Sequence, residues 1–341
     1  MNSKLRPVVI IIAVMFLLPN LTGCSKSRKK LTERTVFAMD TYIKVSLYED
    51  DGSVFDEIEE SIRETESRLS VTNPESDISR VNKANEYTVS DNTAGVIKRA
   101  LELCEETDGA LDISIYPVVK QWGFTTGEYQ VPDDGTLKEL LKYVDYKKII
   151  LDGNTVRTED GMEIDPGAVG KGYMGDVIAE IVERHGISSG IIDLGGNIRT
   201  IGKRSDGSDW RVAVRSPDGT GILGIILSSD ESVITSGGYE RYFIDNDGNI
   251  RWHIMDPSTG SPVSNGVVSV TVVGSEGIRC DALSTALFVM GKDDAVSFWK
   301  KKRDFDMIIV TSSNEVYITP GLAERFEQSS EDFRYYVIEN I

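Results

Sequence analysis

Asp281 and Thr285 stand four residues apart in "GIRCDALSTALFVMG" (277–291). At helical spacing this puts a carboxylate and a hydroxyl on one face, about 5 to 6 Å apart at Cβ. Two oxygens so placed can ligate one hard cation, for which Mg²⁺ is the natural choice. The same spacing also suits a local arrangement, an Asp stabilised by the helix dipole and a Thr bonding back to its own helix. His253, in "RWHIMDPSTG" (251–260), reads as part of an alternating strand. Its ordinary pKa of about 6.5 suits a general base for a hydroxyl nucleophile, although a lone strand histidine is more often structural. In "EIDPGAVGKGYMGD" (163–176), Asp165 precedes a Gly-rich turn that opens a helix carrying Lys171. Backbone N–H groups at such a turn can face an anion, or the turn can be purely structural; the Gly-x-x-x-x-Gly-Lys-[Ser/Thr] pattern is missing. "GALDISIYPVVKQWGF" (109–124) places Asp112 in an apolar segment that reads as a strand, and Gly195-Gly196 permit close approach of a ligand or another strand.

These groups must be positioned by a mixture of helices and strands. "RTVFAMDTYIKVSLYE" (34–49) alternates as a strand, amphipathic spacing predicts helices over 53–69 and 92–106, and 135–143 and 170–186 also read as helices, the last ended by Gly186. Asp152-Gly153-Asn154 marks a hairpin. Residues 209–275 read mostly as strands, followed by helices at 280–290 and 292–302 and a strand pair at 306–318. Without a regular βαβ rhythm the class is α+β, a single catalytic unit with mixed sheets and packed helices.

The chain of 341 residues carries a formal net charge of −18, which argues against nucleic acid as a partner. Three Cys and two His form no zinc-binding spacing. Cys104 and Cys280 can pair or remain buried thiols. At the N-terminus, Lys4 and Arg6 precede an apolar run from Val8 to Leu18, shorter than the roughly 20 residues of a spanning helix. Leu21-Thr22-Gly23-Cys24 then resembles a bacterial lipobox, followed by the basic "SKSRKK". The expected organisation is a lipoprotein signal peptide (1–23), a lipidated Cys24 with a basic tether (24–31), and a domain (32–341) held outside the cytoplasmic membrane.

Eight ordered blocks, from "FAMDTYIKV" through "SRLSVTNPESDISRVN", "IDPGAVGKGYMGD", "SGGYERYF" and "HIMDPSTGSPV" to "SVTVVGSEGIRCDALSTALFVMG", resemble the ApbE family of FAD:protein FMN transferases. The resemblance covers residues 35 to 318. It implies a T-fold-like α+β core and Mg²⁺-dependent transfer of FMN from FAD to a Thr or Ser hydroxyl of an acceptor protein, releasing AMP. The acceptors it implies are membrane redox complex subunits or FMN-binding domains. Matching positions imply Asp281, Thr285 and the backbone carbonyl of Ala168 as metal ligands, and His253 as the base. They also imply FAD contacts at Met39, Ala110, Leu111, Asp112, Asp165, Lys171 and Ile254.

Three positions depart from the family pattern. Asp40 replaces the Gly of Met-Gly-Thr, Thr72 replaces a frequent aromatic, and Ser284 stands where some relatives carry a second Asp. Two other functions stay open at this stage: hydrolysis of FAD to FMN and AMP, or flavin binding without chemistry.

Overall fold

A computed structural model describes residues 30–48, 52–219 and 221–340. The expected signal peptide, Cys24 and most of the tether lie outside the described residues. Nine strands form the main sheet in chain order: β1 (Leu31–Ala38), β2 (Thr41–Tyr48), β3 (Gly190–Leu194), β4 (Asn197–Ile201), β5 (Ser232–Gly237), β6 (Val267–Gly274), β7 (Asp306–Thr311), β8 (Glu315–Ile318) and β9 (Arg334–Val337). Neighbours are antiparallel throughout, except that β9 returns parallel to β8.

The helices are α1 (Val54–Leu69), α2 (Asp77–Ala84), α3 (Asp91–Glu106), α4 (Tyr116–Gln121), α5 (Asp134–Leu140), α6 (Gly167–Arg184), α7 (Gly277–Met290), α8 (Lys292–Lys302) and the one-turn α9 (Pro320–Ala323). Their sequences explain them. Ser90 caps α3 by accepting the Thr93 N–H, and α3 buries Val96, Ile97, Ala100 and Cys104 as its periodicity predicts. Leu101 is only half-buried, and Leu103 takes the core position instead. Both Cys104 and Cys280 are buried free thiols.

β5, β6 and β7 are covered on both faces. Ile234, Val270, Val272, Met307 and Ile309 pack with α7 and α8. The alternate residues Val233, Val273, Ile308 and Val310 pack against a small sheet that includes Trp210–Arg215 and Ile222–Ser228. Burial on both sides is why these strands read as near-continuous apolar runs.

The structure differs from the sequence reading in several places. "RTVFAMDTYIKV" is a hairpin, turning at Met39-Asp40 with both residues at positive φ (52° and 58°). No glycine marks that turn, so the alternation runs through it unbroken. Gly195-Gly196 is likewise the two-residue turn between β3 and β4. A Cβ on Gly195 would lie 2.0 Å from Thr41 Oγ1, so the approach it permits is to the neighbouring hairpin. Asp112 lies in a turn, buried by the apolar residues around it without strand pairing. The hairpin strand Ile250–Trp252 ends one residue before His253, and α7 begins at Gly277, ahead of its expected start. The helix expected over 135–143 ends at Leu140, with a 3₁₀ turn after it.

Candidate active site

A cavity of about 580 Å³ opens where the β1–β2 turn, the N-terminal turns of α6, the end of β5 and one face of α7 meet. Its size is that of a small-molecule or cofactor site. Every site residue named above within the described chain lines it: Met39, Ala110, Leu111, Asp112, Asp165, Ala168, Lys171, His253, Ile254, Asp281 and Thr285. A broader groove of about 750 Å³ along α1 is lined by surface charges such as Glu59, Arg63 and Glu64. Glu59 and Arg63 already pair with each other there, so that groove presents nothing desolvated to a ligand.

Two glycines set the metal-side geometry. A Cβ on Gly172 would lie 2.2 Å from the Gly277 carbonyl oxygen and 2.7 Å from Asp281 Cβ, so α6 and α7 cross at backbone contact. At that crossing each helix supplies a carboxylate to the other. Asp176 of α6 accepts the Gly277 and Ile278 N–H groups at 2.8 and 2.9 Å, satisfying free amides at the start of α7. Asp281 of α7 accepts the Gly172 N–H through Oδ2 at 2.8 Å and the Asn197 Nδ2 through Oδ1 at 3.1 Å.

The local alternative for Asp281 and Thr285 therefore fails. Asp281 serves another helix, and Thr285 Oγ1 lies 3.2 Å from Ser236 Oγ on β5. Ser284, which replaces the second Asp of some relatives, donates to the Asp281 carbonyl oxygen and bonds Ser236. The anion cradle expected at the Gly-rich turn is also altered, because Asp165 Oδ1 already accepts the Gly167 N–H at 2.7 Å.

Asp281 is 5% exposed and makes no ion pair among the described residues. Burial pushes its carboxyl above the usual range, opposed by Lys171 and by its hydrogen bonds. Asp281, Thr285 and Ala168 line the same cavity, so a buried carboxylate, a hydroxyl and a backbone carbonyl offer it a hard-oxygen donor set. Among the described residues no three His, Cys, Asp or Glu side chains cluster for a metal. The set therefore fits a cation that keeps water and substrate oxygens in its shell, as Mg²⁺ does.

His253 is fixed by Arg241. The carbonyl oxygen of Arg241 accepts the His253 backbone N–H at 3.1 Å and lies 3.2 Å from Nδ1. A carbonyl can only accept, so Nδ1 carries the proton and Nε2 keeps the lone pair. Burial lowers the imidazole pKa to about 4, with the nearby Arg241 and Lys171 charges acting the same way. The ring is therefore neutral at neutral pH, as a base must be.

Other predicted residues are held rather than free. Asp112 accepts the Ser114 N–H and hydroxyl at 2.8 and 2.6 Å and the Tyr146 N–H at 3.0 Å. Met39 donates its N–H to Glu66 Oε1 at 2.6 Å, which pins the positive-φ turn against the end of α1. The Lys171 ammonium has no hydrogen bond or ion pair among the described residues and remains available to a ligand. Asn197, Ser236, Glu66 and Arg241 escaped the sequence reading. Ser236 and Arg241 lie inside the block "SGGYERYF", yet no spacing links them to Thr285 or His253.

The description of the ApbE family matches residues 39–309, a stretch that spans the whole cavity. The chain belongs to the ApbE family. Among its relatives in that family is the FAD:protein FMN transferase of Klebsiella pneumoniae (strain 342), 31% identical over 310 residues, covering 88% of this chain and 95% of the relative. The protein of the same description from Vibrio cholerae (strain ATCC 39541) is 32% identical over 286 residues, covering 80% and 85%. The ApbE protein of Thermotoga maritima superposes with a TM-score of 0.82 at 30% identity, covering 88% of this chain and all of that one. The Vibrio cholerae flavin transferase ApbE superposes at 0.78 with 27% identity, covering 87% and 99%. The α+β architecture is thus that of the ApbE family along nearly the full length of its known structures.

Proposed function

We propose that this chain is an FAD:protein FMN transferase, moving FMN from FAD to a Thr or Ser hydroxyl of an acceptor protein and releasing AMP. One observation carries the reading: a hard-oxygen set on α6 and α7 and a histidine with a fixed tautomer line the same cavity. The names of the relatives support the reaction.

Asp281, Thr285 and the Ala168 carbonyl would hold Mg²⁺, which when bound offsets the negative charge that builds on the phosphate oxygens. Lys171 adds a second positive charge on the cavity wall. The acceptor hydroxyl donates its hydrogen bond to His253 Nε2. As its oxygen bonds to the FMN phosphorus, Nε2 takes the proton and the phosphorus–oxygen bond to AMP breaks. AMP leaves as an anion that needs no proton, and the imidazolium returns its proton to solvent. Met39, Ala110, Leu111, Asp112, Asp165 and Ile254 shape the rest of the FAD site, Asp112 through the loop it holds.

The domain spanning 32–341 would work outside the cytoplasmic membrane, tethered through a lipidated Cys24. A lipid-held enzyme of this kind meets acceptors that belong to membrane redox complexes, or FMN-binding domains near them.

The test mixes purified protein, FAD, Mg²⁺ and an acceptor domain and looks for covalent flavin fluorescence on a denaturing gel. A fluorescent acceptor band supports the reading. Free FMN without labelling replaces it with FAD hydrolysis, and bound, intact FAD replaces it with a flavin-binding protein.

A further inference from the structure

The cavity is lined by more negative than positive charge. Asp40, Glu66, Asp112, Asp165, Glu240 and Asp281 line it together with only two cations, Lys171 and Arg241. A pyrophosphate entering there is repelled unless cations are drawn to it. Arg241 is the second of the two cations, and its present partner holds it loosely. A single Nη2 donates to Asp40 Oδ2 at 3.2 Å, between side chains 55% and 80% exposed. Pairs of this kind are weak in water. The other guanidinium donors bond nothing among the described residues, so a fork suited to phosphate is left open.

Asp40 reaches Arg241 from a strained position. Met39 and Asp40 both hold positive φ, which side-chain-bearing residues rarely adopt. Such strain persists only where the surroundings impose it, and here Glu66 grips the Met39 N–H. Arg241 also carries the carbonyl that fixes His253, so the two residues meet across one small hairpin.

Resting on the FAD reading above, we propose that Arg241 is a phosphate-binding residue of this cavity, and that Asp40 occupies its guanidinium until the pyrophosphate of the substrate displaces the carboxylate. Arg241 then bridges two phosphate oxygens beside the path of the attacking hydroxyl. Asp40 acts only through Arg241, as a competitor for it.

The test uses flavin fluorescence titration of the full chain at fixed Mg²⁺ with FAD and with riboflavin, which lacks phosphate, and displacement by ADP. Arg241→Gln is expected to weaken FAD and ADP by about tenfold or more while leaving riboflavin unchanged. Asp40→Asn, which tolerates the same backbone, is expected to tighten FAD several-fold. The double variant should match Arg241→Gln alone. Equal weakening of riboflavin and FAD, or unchanged FAD binding in Arg241→Gln, overturns the assignment. If the unaltered chain binds neither FAD nor ADP, the nucleotide reading falls with it, a result distinct from either of those.

Discussion

Asp281, rooted in α7, ends its side chain 2.8 Å from the backbone N–H of Gly172 in α6. The carboxylate is thus placed by the crossing of two helices rather than by its own helix. That crossing exists because Gly172 and Gly277 have no side chains to separate the backbones. The same contact that makes the two helices one unit also aims the group best suited to a metal.

Gly172→Ala tests this crossing directly. The new Cβ would meet backbone and Asp281 Cβ, so the helices must part, with an expected loss of about 1–3 kcal/mol. Chemical denaturation measures the loss. Transferase activity should fall more than stability alone explains, because Asp281 moves with α7.

Asp176→Ala removes the acceptor for two amides at the start of α7 without touching the cavity lining. The expected cost is about 1–3 kcal/mol, from leaving buried donors unsatisfied. Denaturant midpoints should shift while the Michaelis constant for FAD changes little. A large change in that constant with no loss of stability would contradict the capping role.

Asp281→Asn replaces a buried charge by a neutral group of the same shape. Asn has one acceptor oxygen where Asp281 uses two, so relief of the buried charge is offset by a lost acceptor and the metal-free protein should change little in stability. Addition of Mg²⁺ should raise the melting temperature of the unaltered chain and not that of the variant. FMN transfer should drop by about 100-fold or more, in line with loss of a transition-state charge contact. A Mg²⁺-dependent melting shift surviving in Asp281→Asn would remove this residue from the metal site.

His253→Ala should lower acceptor labelling by about 10²- to 10⁴-fold, with partial recovery on adding imidazole. The pH profile carries a second check. Burial holds the His253 pKa at about 4, below its ordinary 6.5, so the base is neutral across pH 6–8 and gains its proton only in acid. Labelling should therefore be flat from pH 6 to 8, with its acid limb below 6.5. The unfolded chain protonates this histidine first, so its contribution to stability is lost as pH falls from 6.5 toward 4. An acid limb at or above 6.5 would show an ordinary, solvated histidine.

Much of this protein was legible before any coordinates. The helices α1 and α3 follow from apolar periodicity, because each buries one stripe, α1 against β1, β2 and α6, and α3 against α6 and α7. β6 and β7 announce themselves as apolar runs because both of their faces are covered. The ordered blocks named the family, and every site residue they implied within the described chain lines one cavity. These features are local, or depend on residue identity at fixed positions along the chain.

Other features were set only by tertiary packing. The Met39-Asp40 turn carries no glycine and is held by Glu66, a partner 27 residues away in sequence. Asp281 and Thr285 could have been a cap and a back-bonded hydroxyl. What decides otherwise is the position of Gly172, 109 residues earlier, and of Ser236 on β5. The tautomer of His253 depends on a carbonyl 12 residues before it, across the turn of a small hairpin. Spacing along a chain specifies which groups share a face of one element. Which element that face meets, and so whether a polar side chain caps, ligates or takes a proton, depends on contacts between residues far apart in sequence.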